Sequence, residues 1–201
     1  MRSAVKLFAE LGFDDTRVED ICRDAGVSLR TFFRHFQNKQ SVLPPLGDDG
    51  FGWFVEAYAS KPRDVPEEAA IASAFGDTAR LLEADPEPLR QYWQAVQRSP
   101  LLRGKQQEIR ERRVADVSRA LANRRKTKPD LATRVLATVV MAVFEMAVTD
   151  WALGRSNKRM STLVPERFRI LFPAVPADGF AGPGSAAPIR ARERARRSVS
   201  S

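Results

Sequence analysis

The stretch that most constrains the fold is residues 16–39, which reads as two short helices joined by a tight turn. Thr16 and Glu19 have the spacing of a capping box, which predicts a helix start. Gly26 is the residue type that ends a helix in the left-handed conformation, and Ser28 is a good cap for a following helix. The stretch therefore predicts a helix, a turn at Gly26 and a second helix.

Both predicted helices have one apolar face. The first places four apolar residues on one side: Val18, Ile21, Cys22 and Ala25. In the second, three apolar residues form the face that we expect to be buried: Leu29, Phe32 and Phe36. Arg30 and Arg34 point the other way. A helix that packs across its neighbour and presents arginines on its free face has the shape that enters a DNA major groove.

Four elements of this region occur in an order and spacing that resemble the DNA-binding domain of the TetR (tetracycline-repressor) family. They are Leu-Phe-Ala-Glu-Leu-Gly-Phe (7–13), Ala-Gly-Val-Ser (25–28), Thr-Phe-Phe-Arg-His-Phe (31–36) and Asn-Lys (38–39). The resemblance runs from Ala4 to Leu43 and implies an N-terminal helix-turn-helix domain in an all-α chain. The alternative is a small three-helix packing unit with no role on DNA.

The predicted DNA contacts lie in and beside the second helix. An arginine can donate to two guanine acceptors at once, so Arg30 and Arg34 are the candidates for base edges. By resemblance, His35 lies where the family often contacts a phosphate, and Phe33 replaces a tyrosine found in many members. The full predicted set is Thr16, Arg17, Ser28, Arg30, Thr31, Phe33, Arg34, His35 and Lys39.

The distribution of charge along the chain supports the prediction of DNA binding, whereas the total charge alone does not. The chain carries a formal charge of +8, but much of the excess lies in residues 98–128. Within residues 1–46, every acidic residue precedes Gly26, whereas the bases Arg34 and Lys39 follow it. This split places positive charge where the phosphates of a bound duplex would lie.

The composition indicates a globular, cytoplasmic protein and excludes common catalytic sites. Cys22 is the only cysteine, and we interpret it as a small core residue in a reducing compartment. His35 is the only histidine, so the usual metal sites and Cys–His dyads are excluded. We expect no enzyme activity, no cofactor and no metal. We expect no membrane-spanning helix, because no segment has the roughly 20 apolar residues that a span requires.

Further helices are predicted along the rest of the chain. Pro44-Pro45 and nearby glycines interrupt the fourth, leaving a turn at 39–43 and a helical piece from about Asp49 to Ser60. The later helices are predicted to begin near Pro66, Pro88, Ser99, Pro129 and Thr162. We expect a helix-turn-helix domain over 1–43, a helical ligand-binding and dimerisation domain over 44–173, and a disordered basic tail over 174–201.

The helix predicted after Pro129 is apolar on nearly all sides. Between Val135 and Val148 only Thr138 and Glu145 are polar, so the helix must be covered all round. The resemblance implies that the last two helices pair with a second copy in a four-helix bundle. The predicted homodimer contacts are Val139, Val143, Val148, Trp151, Phe168 and Leu171. The alternative is the core helix of a monomer.

The resemblance also implies that an unknown small-molecule effector binds between helices of the second domain. The candidate residues are Tyr92, Trp93, Val96, Met141, Phe144 and Glu145. Glu145 is a lone carboxylate in an apolar run. Two roles are open for it: binding a polar or cationic group of the ligand, or pairing with an arginine at the dimer interface.

These features together predict a ligand-responsive transcription regulator. The expected partners are a near-palindromic double-stranded DNA operator, a second copy of the chain and a small hydrophobic effector that releases a repressor from the DNA; no membrane partner is expected. The competing hypothesis is a DNA-binding architectural protein with no small-molecule ligand.

Overall fold

The computed structural model describes residues 2–42 and 51–175. This part of the chain is all helical and contains no strand, which confirms the predicted fold class. The helices are α1 (Arg2–Glu10), α2 (Val18–Ala25), α3 (Leu29–His35), α4 (Gly52–Ala59), α5 (Glu67–Glu83), α6 (Pro86–Arg98), α7 (Pro100–Arg125), α8 (Leu131–Ala152) and α9 (Met160–Leu171), with a 3₁₀ turn at Lys39–Val42.

The turn between α2 and α3 is built as the sequence predicts. Gly26 has φ 66°, and its N–H and that of Val27 bond to carbonyls of the last turn of α2. The Ser28 hydroxyl oxygen then accepts from the Thr31 N–H at 3.1 Å and caps α3. The predicted start of α2 is wrong by one residue. The Asp20 carboxylate accepts from the Arg17 N–H at 3.3 Å, so this pair caps α2 in place of Thr16 and Glu19.

The first three helices enclose a small apolar core. Phe8 of α1 meets Phe13 edge-on, with ring centroids 4.8 Å apart, and Ile21 and Phe32 are buried with them. Cys22 is buried too, in agreement with its interpretation as a core residue. The prediction that Leu29 is buried is wrong. Leu29 is 42% exposed, because the short α3 turns only Phe32 fully inward.

The remaining helices form a second and larger packed unit. Helix α5 lies against α4 and α9, while α8 packs between α7 and α9. Phe75 of α5 is fully buried at the centre, with Phe54, Phe144 and Phe168 at centroid distances of 4.3, 4.8 and 4.9 Å. Aromatic rings bury large apolar areas, so this cluster contributes much of the packing energy.

Two predicted boundaries in this unit differ from the structure. Helix α9 begins at Met160, with Arg159 as its N-terminal cap residue, rather than at Thr162. Helix α4 begins at Gly52, not near Asp49. The predicted break at Pro44-Pro45 and residues 176–201 of the predicted tail over 174–201 lie outside the described residues.

Helix α8 corrects the expectation about membrane spans. Among the described residues it is long and apolar enough to cross a membrane by length and composition alone. The core helix of a soluble protein passes the same test, and α8 packs on α6, α7 and α9. Its apolar character is therefore weak support for a membrane span.

The two helical units meet where α1 packs along α6. Arg98, at the end of α6, donates to the Ala9 carbonyl at 2.6 Å, and the Ser99 hydroxyl donates to the Asp14 carboxylate at 3.4 Å. At the other end of α6, Arg2 forms an ion pair with Asp85 at 2.8 Å. Contacts at both ends of α6 therefore fix its position against the N-terminal helices.

Candidate functional site

The free face of α3 is the first candidate site. Arg30, Phe33, Arg34 and His35 are exposed there, and Phe33 is 54% exposed. Arg34 Nη2 lies 3.3 Å from His35 Nε2, so the two side chains lie side by side. No acidic side chain belongs to α3. The helix therefore presents two arginines, one histidine and an aromatic ring to solvent.

The N-terminal ends of α2 and α3 supply further candidate contacts. Arg17 is exposed at the first residue before α2, and Ser28 and Thr31 mark the first turn of α3. Unpaired backbone N–H groups and the positive end of the helix dipole favour anions at such ends. These residues stay as predicted contacts to the DNA backbone.

Thr16 has a structural role that the sequence did not predict. Its side chain is buried, and its hydroxyl donates to the Gly12 carbonyl at 2.6 Å. The Leu7 carbonyl lies 3.3 Å from the same oxygen. Because the hydroxyl is turned into the domain, we remove Thr16 from the set of direct DNA contacts.

Lys39 is likewise turned inward. Its ammonium group donates to the carbonyls of Thr16 at 2.8 Å and Asp14 at 3.3 Å, and also to that of Phe13. It lies 4.3 Å from the centre of the Phe13 ring. Burial lowers the pKa of Lys39. Lys39 therefore ties the loop between α1 and α2 to the 3₁₀ turn, instead of extending toward a phosphate.

Replacing Lys39 by methionine should destabilise the protein by about 1–2 kcal/mol, because three carbonyls lose a charged donor. Urea unfolding of the variant would measure this loss. Lys6→Met is the matched control, since Lys6 forms only a surface ion pair with Asp24 and should contribute less. Unchanged stability together with weaker DNA binding would show that Lys39 contacts a phosphate.

A cavity in the second helical unit is the other candidate site. Its volume is about 30 Å³. It is narrow, and most of its lining is apolar or aromatic. The lining residues are Phe51, Thr78, Leu82, Leu89, Tyr92, Trp93, Gln106, Arg113, Phe144, Glu145 and Val148.

Four of the six predicted ligand-pocket residues line this cavity: Tyr92, Trp93, Phe144 and Glu145. The other two, Val96 and Met141, are buried in the surrounding core and do not line it. On the next turns of α6 and α8, they pack between helices instead. Val148 was expected at the dimer interface, yet it is buried and lines the cavity.

A chain of polar side chains crosses the cavity wall. The Tyr92 hydroxyl donates to Gln106 Oε1 at 2.5 Å, and Gln106 Nε2 donates to Glu145 Oε1 at 3.3 Å. Burial raises the pKa of Tyr92 to about 12 and also raises the pKa of Glu145. Glu145 therefore accepts a hydrogen bond within its own subunit. This differs from the predicted alternative in which Glu145 pairs with an arginine at the dimer interface.

Arg113 is the functional candidate that the sequence analysis missed. Its residue is only 8% exposed, and its guanidinium carbon lies 5.3 Å from the centre of the Phe51 ring. Within the described residues, its Nε has no hydrogen-bond acceptor. Burial lowers its pKa, against the attraction of Glu145. A signal was present, since Gln106 and Arg113 interrupt a buried stripe on α7: Leu102, Gln106, Ile109, Arg113, Val117 and Leu121.

A third candidate surface is the outer face of α8. Val135, Val139 and Met146 are 54%, 38% and 50% exposed, and Val143 is partly exposed. Ile170, on the neighbouring α9, is 80% exposed, and Leu171 is partly so. Val135, Val139, Val143 and Met146 recur at helical spacing, so α8 exposes an apolar face of the kind that marks an interaction site.

Two more of the predicted dimer contacts face inward. Phe168 is fully buried and stacks on Phe75, and Trp151 is buried under Arg90, whose guanidinium carbon lies 4.7 Å from the ring centre. Both are therefore core residues of a single subunit. No cluster of three or more His, Cys, Asp or Glu side chains suited to a metal occurs in the part of the chain that the structure describes.

Comparison with known proteins supports a regulatory role. The sequence profile of bacterial regulatory proteins of the tetR family matches residues 1–44. The HTH-type transcriptional regulator TcmR of Streptomyces glaucescens is 36% identical over 78 residues, 37% of this chain and 33% of TcmR. The fatty acid metabolism regulator protein of Bacillus subtilis is 33% identical over 67 residues, 33% of each chain. The chain thus matches only about a third of the length of these curated relatives.

Solved structures extend the likeness to the second unit. The crystal structure of FadR from Bacillus subtilis, in complex with stearoyl-CoA, superposes with a TM-score of 0.61 at 21% identity, covering 85% of this chain and 94% of FadR. At this identity the likeness shows the fold. The relatives are regulators, in agreement with the prediction that the chain is not an enzyme. Residues 1–44 therefore match the profile of bacterial regulatory proteins of the tetR family, and the fold of the described residues resembles that of FadR over most of its length.

Proposed function

We propose that the protein is a cytoplasmic, dimeric repressor that binds a near-palindromic DNA operator and releases it when a small hydrophobic molecule binds. The observation that carries the DNA-binding part is the exposed basic face of α3, with Arg30 and Arg34 free of acidic neighbours on that helix. The cavity between α5, α6, α7 and α8 supports the ligand-binding part.

On DNA, α3 would lie in the major groove. Arg34 and Arg30 would donate to guanine N7 and O6, and Phe33 would offer apolar contact to a thymine methyl. Arg17, Ser28, Thr31 and His35 would bind the flanking phosphates, which fixes register without reading sequence. A short helix suits this role, because only its first turns need to reach the base edges.

Replacing Arg34 by alanine should cost about 1–3 kcal/mol at the base that it reads in each half-site, because a two-donor contact to guanine is lost. Fluorescence anisotropy with the operator and with single-base variants at fixed salt would measure this. Arg119→Ala removes the same charge from an exposed position of α7 and serves as the control. An equal loss on random DNA would show that Arg34 only contacts phosphate.

Dimerisation would use the exposed apolar surface of α8 and α9. The proposed contacts are Val135, Val139, Val143, Met146, Ile170 and Leu171, all of which are at least partly exposed in one subunit. A two-fold axis through this surface pairs the same patch on both copies. Two recognition helices would then face one duplex.

Helix α6 is the proposed link between ligand and DNA. It supplies Leu89, Tyr92 and Trp93 to the cavity, and it packs along α1 of the DNA-binding unit. A molecule that pushes α6 outward would move α1 through the Arg98 and Asp14 contacts. The ligand must bind the released conformation more tightly than the DNA-bound one, since otherwise it shifts nothing.

A second candidate is a DNA-binding architectural protein with no ligand, and the narrowness of the cavity favours it. The two candidates differ in one measurement. A bound compound that raises the melting temperature and lowers operator affinity together supports the ligand-responsive repressor. Stabilisation with unchanged operator affinity would show a pocket without a switch.

A further inference from the structure

Arg113 is the one charged group whose side chain is buried in the cavity wall without a bonded partner at Nε, within the residues that the structure describes. A buried charge is costly unless it is paired and hydrogen-bonded. The Phe51 ring face at 5.3 Å and the nearby Glu145 charge offset part of this cost. Neither supplies an acceptor to Nε.

The other polar groups of the wall are already engaged. Tyr92 donates to Gln106, and Gln106 donates to Glu145. Glu145 also experiences two positive charges, those of Arg113 and Arg110. The unfilled bonding capacity in the cavity is therefore that of a donor, and two cations face one carboxylate. Both features favour a ligand that brings an acceptor with negative charge.

We propose that the cavity binds a small organic carboxylate, with its carboxylate on the Arg113 guanidinium and its apolar body against Phe51, Leu89 and Phe144. This inference rests on the proposed function, because it names the chemical class of the effector. Guanidinium and carboxylate form charge-assisted bonds that are about twice as strong as neutral ones. The cavity of about 30 Å³ has room for little more than a water molecule, so the apolar body of the ligand must push α6 outward to enter, the movement that the proposed link to the DNA-binding unit requires.

The same acceptor chemistry has two sources, a free acid and the carbonyl of an acyl thioester. The Bacillus subtilis FadR structure holds stearoyl-CoA, so the thioester must be distinguished experimentally. A thioester carbonyl is neutral and cannot neutralise Arg113. The structure therefore favours the free acid.

The test uses the full chain and two acids of different shape, 4-butylbenzoate and decanoate, each beside its neutral amide and its coenzyme A thioester. Calorimetry and thermal shift measure binding to the wild type, Arg113→Met and Arg119→Met. In the wild type, at least one acid should bind about tenfold tighter than its amide and its thioester, since one charge-assisted contact is worth that factor. Arg113→Met should abolish this preference, and Arg119→Met, an exposed arginine on the same helix, should retain it.

A second variant separates ligand binding from a structural role of Arg113. Glu145→Gln removes the carboxylate that competes for Arg113, so the acid should bind several-fold tighter than in the wild type. The melting temperature of unliganded Arg113→Met should change little, because the unbonded Nε is removed while Glu145 loses one of its two neighbouring positive charges. A large fall, with acid preference retained, would show that Arg113 only supports the fold.

The outcomes also separate this inference from the proposed function. Equal binding of acid, amide and thioester, or binding of no acid, overturns the carboxylate assignment. If an amide or thioester binds and releases the operator, the repressor proposal stands while the carboxylate proposal fails. If the acid binds through Arg113 and operator affinity does not change, the carboxylate proposal stands and the ligand-responsive repressor fails.

Discussion

Replacing Val139 by glutamate is expected to convert the proposed dimer to a monomer and to lower operator affinity by about 10²–10⁴-fold. Val139 lies in the middle of the exposed apolar face of α8, between Val135 and Met146. In a two-fold interface each substitution occurs twice, so two carboxylates would be buried near each other without partners. The two DNA-binding units would then lose the gain that comes from binding one duplex together.

Sedimentation at micromolar concentration and operator anisotropy would measure both effects. Leu101→Glu is the matched control, because Leu101 is also an exposed apolar residue but lies in the first turn of α7. An acid there is favoured by the helix dipole. A Val139→Glu variant that sediments as a dimer and keeps operator affinity would place the interface elsewhere.

Replacing Phe75 by alanine will destabilise the protein by about 3–5 kcal/mol, the range for large aromatic residues removed from a core. Phe75 is fully buried and contacts Phe54, Phe144 and Phe168 at centroid distances below 5 Å. The lost ring would leave a void that these neighbours cannot fill without moving helices α4, α8 and α9. This loss is a large fraction of the stability of an ordinary domain.

Urea unfolding followed by circular dichroism would measure the change in midpoint and slope. Phe75→Leu retains most of the volume and should cost clearly less than alanine. A loss below about 1 kcal/mol for Phe75→Ala would mean that the cluster relaxes around the gap, contrary to close packing of the interior. Because Phe144 also lines the cavity, the same variant should alter ligand binding.

Local sequence rules predicted most of the helices because the ends of helices are decided by near neighbours. Gly26 adopts the left-handed conformation that its residue type favours, and Ser28 and Ser99 cap α3 and α7 with their hydroxyls. At the start of α2 the sequence offers two possible capping pairs, and the structure uses the pair of Arg17 and Asp20. Asp20 reaches the N–H of Arg17, while Thr16 finds carbonyls of the preceding turn instead.

Side-chain direction between helices could not be predicted by the same rules. Lys39 was expected on a phosphate, but three carbonyls of the α1–α2 loop lie within its reach only after the chain has folded. Phe168 and Val148 were expected on the dimer surface because periodicity marks an apolar face without saying which neighbour covers it. In the structure, Phe75 covers the first.

The candidate cavity was predicted in part because bulky residues are easily recognised in a sequence. Tyr92, Trp93 and Phe144 line it as expected. Arg113 was missed because α7 carries many basic residues, and one buried arginine among them is visible only as an interruption of the apolar stripe. Charge counting alone cannot separate a solvated arginine from a buried one.

Selection of DNA from a random duplex library by the full chain tests the central claim most directly. The proposed dimeric repressor should enrich one near-palindromic motif whose half-site centres lie about 10–10.5 base pairs, or a multiple of this, apart. Arg34→Ala should relax one base position in each half-site of that motif. Retention of DNA with no enriched motif, or with a motif that Arg34→Ala leaves unchanged, would contradict sequence-specific recognition by α3.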